Sequence, residues 1–268
     1  MEYRELGGTG EMVPEVGLGT WKYTGGSEPL RKGIELGANL IDTAEMYRTE
    51  DAVGVAIQGI RDKVFLATKV LSSHLRYDAV LKAAEDSLRL LNDDVIDLYQ
   101  IHSPNPGVPI IETMRAMEDL VDRGVVRYIG VSNFSVAQLR EAQQAMNRYP
   151  VVSNQVLYNL KRRQIERDLV PYCVDNKITI MAYTPLAAGG LSGRSWLMPD
   201  KRSAVLAAVA EETGKTPAQV ALNWCLSRPN VIVIPKSNSV ARTIENCEAS
   251  GWLLTASQVA ALDQAYPI

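Results

Sequence analysis

Two histidines, two phenylalanines and three cysteines are all that this 268-residue chain contains of those types. Cys173, Cys225 and Cys247 are odd in number, widely scattered and in no pair spaced like zinc ligands. That pattern suits a reducing compartment, so disulfides, structural zinc and any other bound metal are not expected. No apolar run reaches the ~18 residues of a membrane-crossing helix. The opening Met1-Glu2-Tyr3-Arg4-Glu5 lacks the basic-then-apolar order of a secretory signal. The expectation is a soluble, unprocessed, cytoplasmic protein with no membrane partner. Excess positive charge is also missing, since the formal net charge is -3 and the pI is near 5.6. No nucleic-acid partner is therefore expected. There is no Pro/Gly/Ser-rich linker, low-complexity tract or internal repeat, and one domain over residues 1–268 is the economical reading.

What the chain does have is apolar material for one large core, with 46% hydrophobic and 22% charged residues. Short apolar runs alternate with longer segments of helical period. The runs are Val16 to Thr20, Asn39 to Thr43, Val64 to Lys69, Val95 to Ile101, Val126 to Val131, Val151 to Gln155, Ile178 to Ala182 and Val231 to Ile234. Helix starts between them are signalled by Ser135 with Gln138, and by Thr216-Pro217 with Gln219. Eight strand-helix units predict an α/β fold of the (β/α)8 TIM-barrel type, although alternation alone also allows a doubly wound open sheet. Tyr3 to Met12, with the turn Gly7-Gly8-Thr9-Gly10, reads as a short β-hairpin ahead of the barrel.

In such a barrel, functional side chains gather at the C-terminal ends of the strands. The polar residues that close the runs are Asp42, Lys69, His102, Asn133, Gln155, Tyr183 and Lys236, with Trp21 after the first strand and Tyr47 after the second. Taken singly each has an ordinary explanation. A histidine or lysine after a strand usually meets water, an aspartate can cap a turn, and a tyrosine can simply pack. Their joint placement raises a catalytic mouth above those explanations, and there is no Gly-rich dinucleotide fingerprint or metal-ligand cluster to point elsewhere.

A second feature lies near the C-terminus. Ser239 reads as an N-cap, which puts Arg242 in the first turn of a helix, where exposed amide N–H groups already favour an anion. A cation there is electrostatically out of place unless an anion sits opposite, or unless it is merely a solvated surface arginine.

These residues resemble the aldo-keto reductase family almost end to end. Val16-Gly17-Leu18-Gly19-Thr20-Trp21 looks like its first strand. Ile41-Asp42-Thr43-Ala44-Glu45-Met46-Tyr47-Arg48-Thr49-Glu50, with Val53-Gly54, looks like its first signature. Ala67-Thr68-Lys69, Asp97-Leu98-Tyr99-Gln100-Ile101-His102, Gly130-Val131-Ser132-Asn133-Phe134 and Ile234-Pro235-Lys236-Ser237 follow in the family's order. Arg242 and Glu245-Asn246 come at the expected offsets. The resemblance implies NADPH-dependent reduction of aldehydes or ketones, with NADP(H) bound in extended form and a small carbonyl or alcohol as substrate.

By the same resemblance the catalytic tetrad is Asp42, Tyr47, Lys69 and His102, and Trp21, Tyr47 and His102 face the substrate. Ser132, Asn133 and Gln155 hydrogen-bond the carboxamide, Tyr183 stacks on the nicotinamide ring, and Thr20 and Asp42 also belong to the cofactor site. Thr184, Pro185 and Leu186, followed by Gly189-Gly190, cover the pyrophosphate. Lys236, Ser237 and Arg242 clamp the 2′-phosphate, with Glu245 and Asn246 near the adenine. Tyr47 is the implied proton donor. A lysine ammonium about 4 Å away at an effective dielectric near 20 contributes roughly 4 kcal/mol, or about three pKa units. Lys69 is accordingly expected to draw the Tyr47 phenol down into the working range, with Asp42 holding Lys69 and a neutral His102 orienting the carbonyl.

The chain departs from the family at Ser103, where a tryptophan often follows the histidine. With a brief connection after His102 and little chain beyond Leu262, this implies an open, weakly aromatic pocket built on Trp21, Tyr47 and Trp196. Two other functions compete. One is a cofactor-sensing regulatory subunit on the same fold, as in the potassium-channel β subunits that resemble this family. The other is a barrel hydrolase or isomerase with Lys69 as a Schiff-base lysine.

Overall fold

A computed structural model of the chain describes residues 1–193 and 200–268. Ten strands occur among them, beginning with the hairpin β1 (Tyr3–Glu5) and β2 (Met12–Pro14), which pair antiparallel with Arg4 opposite Val13. The other eight are β3 (Leu18–Gly19), β4 (Leu40–Asp42), β5 (Phe65–Val70), β6 (Ile96–Ile101), β7 (Val126–Ser132), β8 (Val151–Leu157), β9 (Thr179–Tyr183) and β10 (Val231–Val233). They lie parallel and in chain order in one sheet.

That sheet closes on itself, which decides against the open alternative. Val16 and Gly19 bridge in parallel to Val233 and Lys236, and Gly17 N donates to Val233 O at 2.8 Å. The closing strands are shorter than their apolar runs because the chain touches its neighbour only at these points. Gly19 is needed there, since a Cβ would lie 2.6 Å from the Ile234 carbonyl oxygen.

The apolar residues divide into two cores. Leu40, Phe65, Ala67, Leu98, Val152, Met181, Ile232 and Ile234 fill the barrel, and Leu6 and Val13 of the hairpin join them. The hairpin therefore plugs the N-terminal end of the barrel. A Cβ on Gly7 would lie 2.5 Å from that of Val152, so only glycine permits this approach. The larger core lies between the barrel wall and the helices. Helix Tyr77–Leu91 buries Val80, Ala83, Ala84, Ser87 and Leu91, a stripe of helical spacing laid on the wall. Ser135 and Thr216 cap their helices as expected, each in a reciprocal pair with Gln138 or Gln219, a feature worth about 1 kcal/mol per helix.

Period two along the strands aims the functional side chains. Ala67 belongs to the barrel interior, so Lys69 two residues on points the same way, while Thr68 between them faces the helices. Register then sets Gly19 beside Asp42, Lys69 beside Gln100 and Ser132 beside Gln155. The polar strand ends therefore converge on the C-terminal mouth.

Candidate active site

At the centre of the mouth Lys69 Nζ lies 2.8 Å from Asp42 Oδ2. It also donates to the Thr43 carbonyl oxygen at 2.8 Å and reaches the Tyr47 hydroxyl at 3.3 Å. The three partners leave no room for water around an ammonium that is 0% exposed. Burial pulls the Lys69 pKa down, and the Asp42 charge opposes that pull. The other Asp42 oxygen accepts from Gln155 Nε2 at 2.7 Å and from Gln100 Nε2 at 3.4 Å. Gln155 thus spends one of its two amide N–H groups on the carboxylate, which leaves the other and its amide oxygen for a ligand.

Tyr47 stands on a short 3-10 turn, Glu45–Tyr47. Its ring meets Trp21 edge-on at 5.0 Å between centroids and His102 edge-on at 5.4 Å. Here the surroundings reverse a sequence expectation, because the Tyr47 pKa is pushed well above its ordinary value. Burial is the main cause, and the charge of Asp42 and the nearby Tyr183 add to it. Lys69 touches the phenol but sits closer to Asp42, so the phenol faces a nearly neutral pair rather than a bare cation.

His102 is held near pH 4, first by burial and then by the Lys69 charge, so at neutral pH its imidazole is uncharged. Its Nδ1 is buried without a hydrogen-bond partner. The ring therefore offers Nε2 to anything that enters the mouth.

A cavity of about 1140 Å³ runs from this group to the C-terminal helices. Its size is somewhat above the usual range of small-molecule sites, about 300–1,000 Å³, and suits an extended ligand together with a second small one. One end is formed by Trp21, Met46, Leu71, Ser72, His102 and Ser103. Midway, Asn133 donates to the His102 carbonyl oxygen at 3.0 Å and accepts from the Tyr183 hydroxyl at 3.0 Å. Asn133, Thr184, Ala187 and Ala188 all have positive φ, a cluster of strained non-glycine residues on one wall. At the far end Ser239 caps helix Val240–Cys247 by accepting from Arg242 N. Burial lowers the Lys236 pKa, and the charges of Arg242 and Lys22 lower it further. Three cations that repel one another in a cavity wall make a site for an anion.

Most of the residues singled out in the sequence line this cavity, including Thr20, Asp42, Tyr47, Ser132, Gln155, Pro185, Leu186, Lys236, Arg242, Glu245 and Asn246. Two stand apart. Lys69 lies behind the wall, and Ser237 turns its hydroxyl to Ser239 O at 2.8 Å. Trp196 falls outside the described residues. Sequence reasoning missed Lys22, Gln100, the Thr43 carbonyl and Glu45. Lys22 adjoins Trp21 and could have been found there, whereas the others follow only from strand register and loop packing. Among the described residues no cluster of three or more His, Cys, Asp or Glu could hold a metal, and no helix is long and apolar enough to cross a membrane.

Comparison with known proteins agrees with the fold. The Aldo/keto reductase family matches residues 15–267. Methylglyoxal reductase YeaE of Escherichia coli (strain K12) is 40% identical over 266 residues, covering 95% of this chain and 92% of that one. Glyoxal reductase of Bacillus subtilis (strain 168) is 35% identical, covering 95% and 89%. Among solved structures, the thermostable aldo-keto reductase Tm1743, crystallised with the inhibitor epalrestat, superposes with a TM-score of 0.92 at 39% identity, covering 99% of this chain and 100% of that one. An aldo/keto reductase from Klebsiella pneumoniae, crystallised with NADP and acetate, gives 0.85 at 39% identity, covering 96% and 92%.

Proposed function

The chain belongs to the aldo/keto reductase family, and we propose that it is an NADPH-dependent reductase of small aldehydes, with 2-oxoaldehydes such as methylglyoxal foremost among them. The observation that carries this reading is the buried Lys69 ammonium shared between Asp42 and Tyr47, at one end of a cavity whose other end is cationic. The relatives' activities favour 2-oxoaldehydes, and the small side chains of Ser72 and Ser103 leave the substrate end open.

The cavity's residues fit NADP(H). Lys22, Lys236 and Arg242 would hold the 2′-phosphate, Ser132 and Asn133 the carboxamide, and Tyr183 the face of the nicotinamide. When bound, the cofactor supplies the hydride. The chain supplies the rest. His102, neutral and free at Nε2, donates a hydrogen bond to the carbonyl oxygen and so orients the carbon that is reduced. Tyr47 gives its proton to that oxygen as negative charge develops there. A general acid of this kind contributes about 10²–10⁴-fold. Burial keeps Tyr47 fully protonated before reaction, and Lys69 stabilises the phenolate left behind. Asp42 holds Lys69 on target through Oδ2, while Gln155 and Gln100 hold Asp42 through Oδ1.

The Schiff-base alternative fits poorly, because Lys69 is wholly buried behind Asp42 and Tyr47 and a substrate carbon cannot reach its nitrogen. The test of the reading is NADPH oxidation by the purified protein with methylglyoxal, glyoxal, simple aldehydes, ketones and aldoses, repeated with NADH. Multiple turnover that prefers NADPH is expected. Tight NADPH binding without turnover on any of them would favour a regulatory subunit instead.

A further inference from the structure

The turn that carries Tyr47 is tied at its ends, where the buried Thr43 and Thr49 hydroxyls meet at 3.0 Å and Thr49 meets Thr20 at 3.2 Å. Its middle, Glu45 to Tyr47, has few bonds of its own. Ala44 before it is extended and Arg48 after it is left-handed, at φ 55. Its internal bonds are Tyr47 N to Ala44 O at 2.9 Å and Arg48 N to Glu45 O at 3.3 Å. Met46 is exposed, and Trp21 and His102 meet the Tyr47 ring only by edge contacts, which resist compression but do not set a distance. In the segment that follows Lys69, the carbonyls of Val70, Leu71 and Ser72 accept from His102 N, His74 N and Asn105, whereas Leu71 N lies beyond the last ladder bond of β5 and needs a side-chain acceptor.

One side chain joins the two. Glu45 Oε2 accepts from Leu71 N at 2.8 Å, and Glu45 Oε1 faces His74 Nδ1 at 2.7 Å. Glu45 is two residues before Tyr47, and Leu71 is two residues after Lys69. The contact between Tyr47 and Lys69 at 3.3 Å and the bond between Glu45 and Leu71 are thus two rungs between the same pair of segments. Leu71 and Ser72 line the substrate end of the cavity, so the second rung also holds part of that wall.

We propose that Glu45 is a positioning residue for the reductase reaction, clamping the Tyr47 turn to the segment after Lys69 and so setting the proton donor's place against the substrate carbonyl. This rests on the reading of Tyr47 as the acid. Without the clamp the turn keeps the Thr43–Thr49 bond and the Lys69–Tyr47 contact but loses its tie to Leu71, and a displacement of about 1 Å at a reacting group costs on the order of 10²-fold in rate. His74 supports Glu45 from the solvent side and touches neither Tyr47 nor Lys69.

The test compares Glu45→Ala, Glu45→Gln and Tyr47→Phe in the full chain, measuring kcat, KM for the aldehyde and the Kd of NADPH by fluorescence. The proposal expects Glu45→Ala to lower kcat about 10- to 100-fold while the NADPH Kd stays put, because the cationic end of the cavity is remote from the turn. Glu45→Gln is expected to restore most of kcat, since its amide oxygen still accepts from Leu71 N. Wild-type kcat in Glu45→Ala would overturn the proposal. So would a matched loss of kcat and NADPH affinity, which marks general loosening, or a Glu45→Gln as slow as Glu45→Ala. Tyr47→Phe separates the premises. If it is inactive while Glu45→Ala turns over normally, the clamp alone fails; if Tyr47→Phe turns over, the assignment of the acid fails and the clamp with it.

Discussion

Lys69 and Asp42 meet at 2.8 Å with side chains 0% and 2% exposed, a fully buried ion pair inside the mouth of the barrel. Such a pair gains little over an apolar replacement of both partners, but removing one leaves a buried charge without compensation. Lys69→Met is therefore expected to abolish turnover and to destabilise the fold by about 3 kcal/mol or more. The double variant Asp42→Asn with Lys69→Met should recover most of that stability and none of the activity. Urea unfolding of the two variants, beside their turnover, checks both halves.

Tyr47→Phe keeps the ring that Trp21 and His102 pack against and removes only the hydroxyl. Carbonyl reduction is expected to fall by about 10²–10⁴-fold with NADPH affinity preserved. Burial holds the wild-type phenol protonated far into the basic range. Reduction should therefore lose nothing to Tyr47 ionisation through neutral and mildly basic pH, and a pH–rate profile that drops there would contradict the site as described.

His102 supplies a prediction on the acid side. Its pKa is lowered from 6.5 to about 4, so the imidazole stays neutral through the range in which an ordinary histidine charges. The rate profile should show no inflection near 6.5. Stability carries the same signature with a definite sign. Between 6.5 and about 4 an unfolded chain binds a proton that folded His102 does not, so the contribution of His102 is full above 6.5 and is lost as pH falls through that window. His102→Asn should flatten this part of the stability profile, measured by denaturant unfolding across the same range.

At the far end of the cavity, Arg242→Ala should raise the KM for NADPH about 10- to 100-fold, the loss of one or two charge-assisted bonds, and change that for NADH little. Lys22→Ala should act in the same direction. Equal losses for the two cofactors would show that this cluster does not read the 2′-phosphate.

The polar strand ends were legible in the sequence because period two and a closed parallel barrel leave few choices. An apolar run that ends in Asp42, Lys69, Gln155 or Tyr183 must present that residue at the mouth, whatever the helices between do. Cap signals were equally local, and Ser135, Thr216 and Ser239 each accept from the amide three residues on. Local chemistry also marked Arg242 as a cation in the wrong place for a bare helix start.

What the sequence by itself determined, then, was the order of strands and the side chain that ends each, since both depend on neighbours within a few residues. The tertiary structure alone decided how those ends share charge. Gln155 lies 113 residues from the carboxylate to which it donates, and the hairpin reaches Val152 across a similar span. Lys69 was expected to draw the Tyr47 phenol down, yet the phenol is pushed up. The sign of that shift comes from burial, which is a sum over every atom packed around the hydroxyl, and from the rival claim of Asp42 on the same ammonium. Neither a sum over packed neighbours nor a competition for one ammonium can be read from residue order, because both exist only once the barrel has closed.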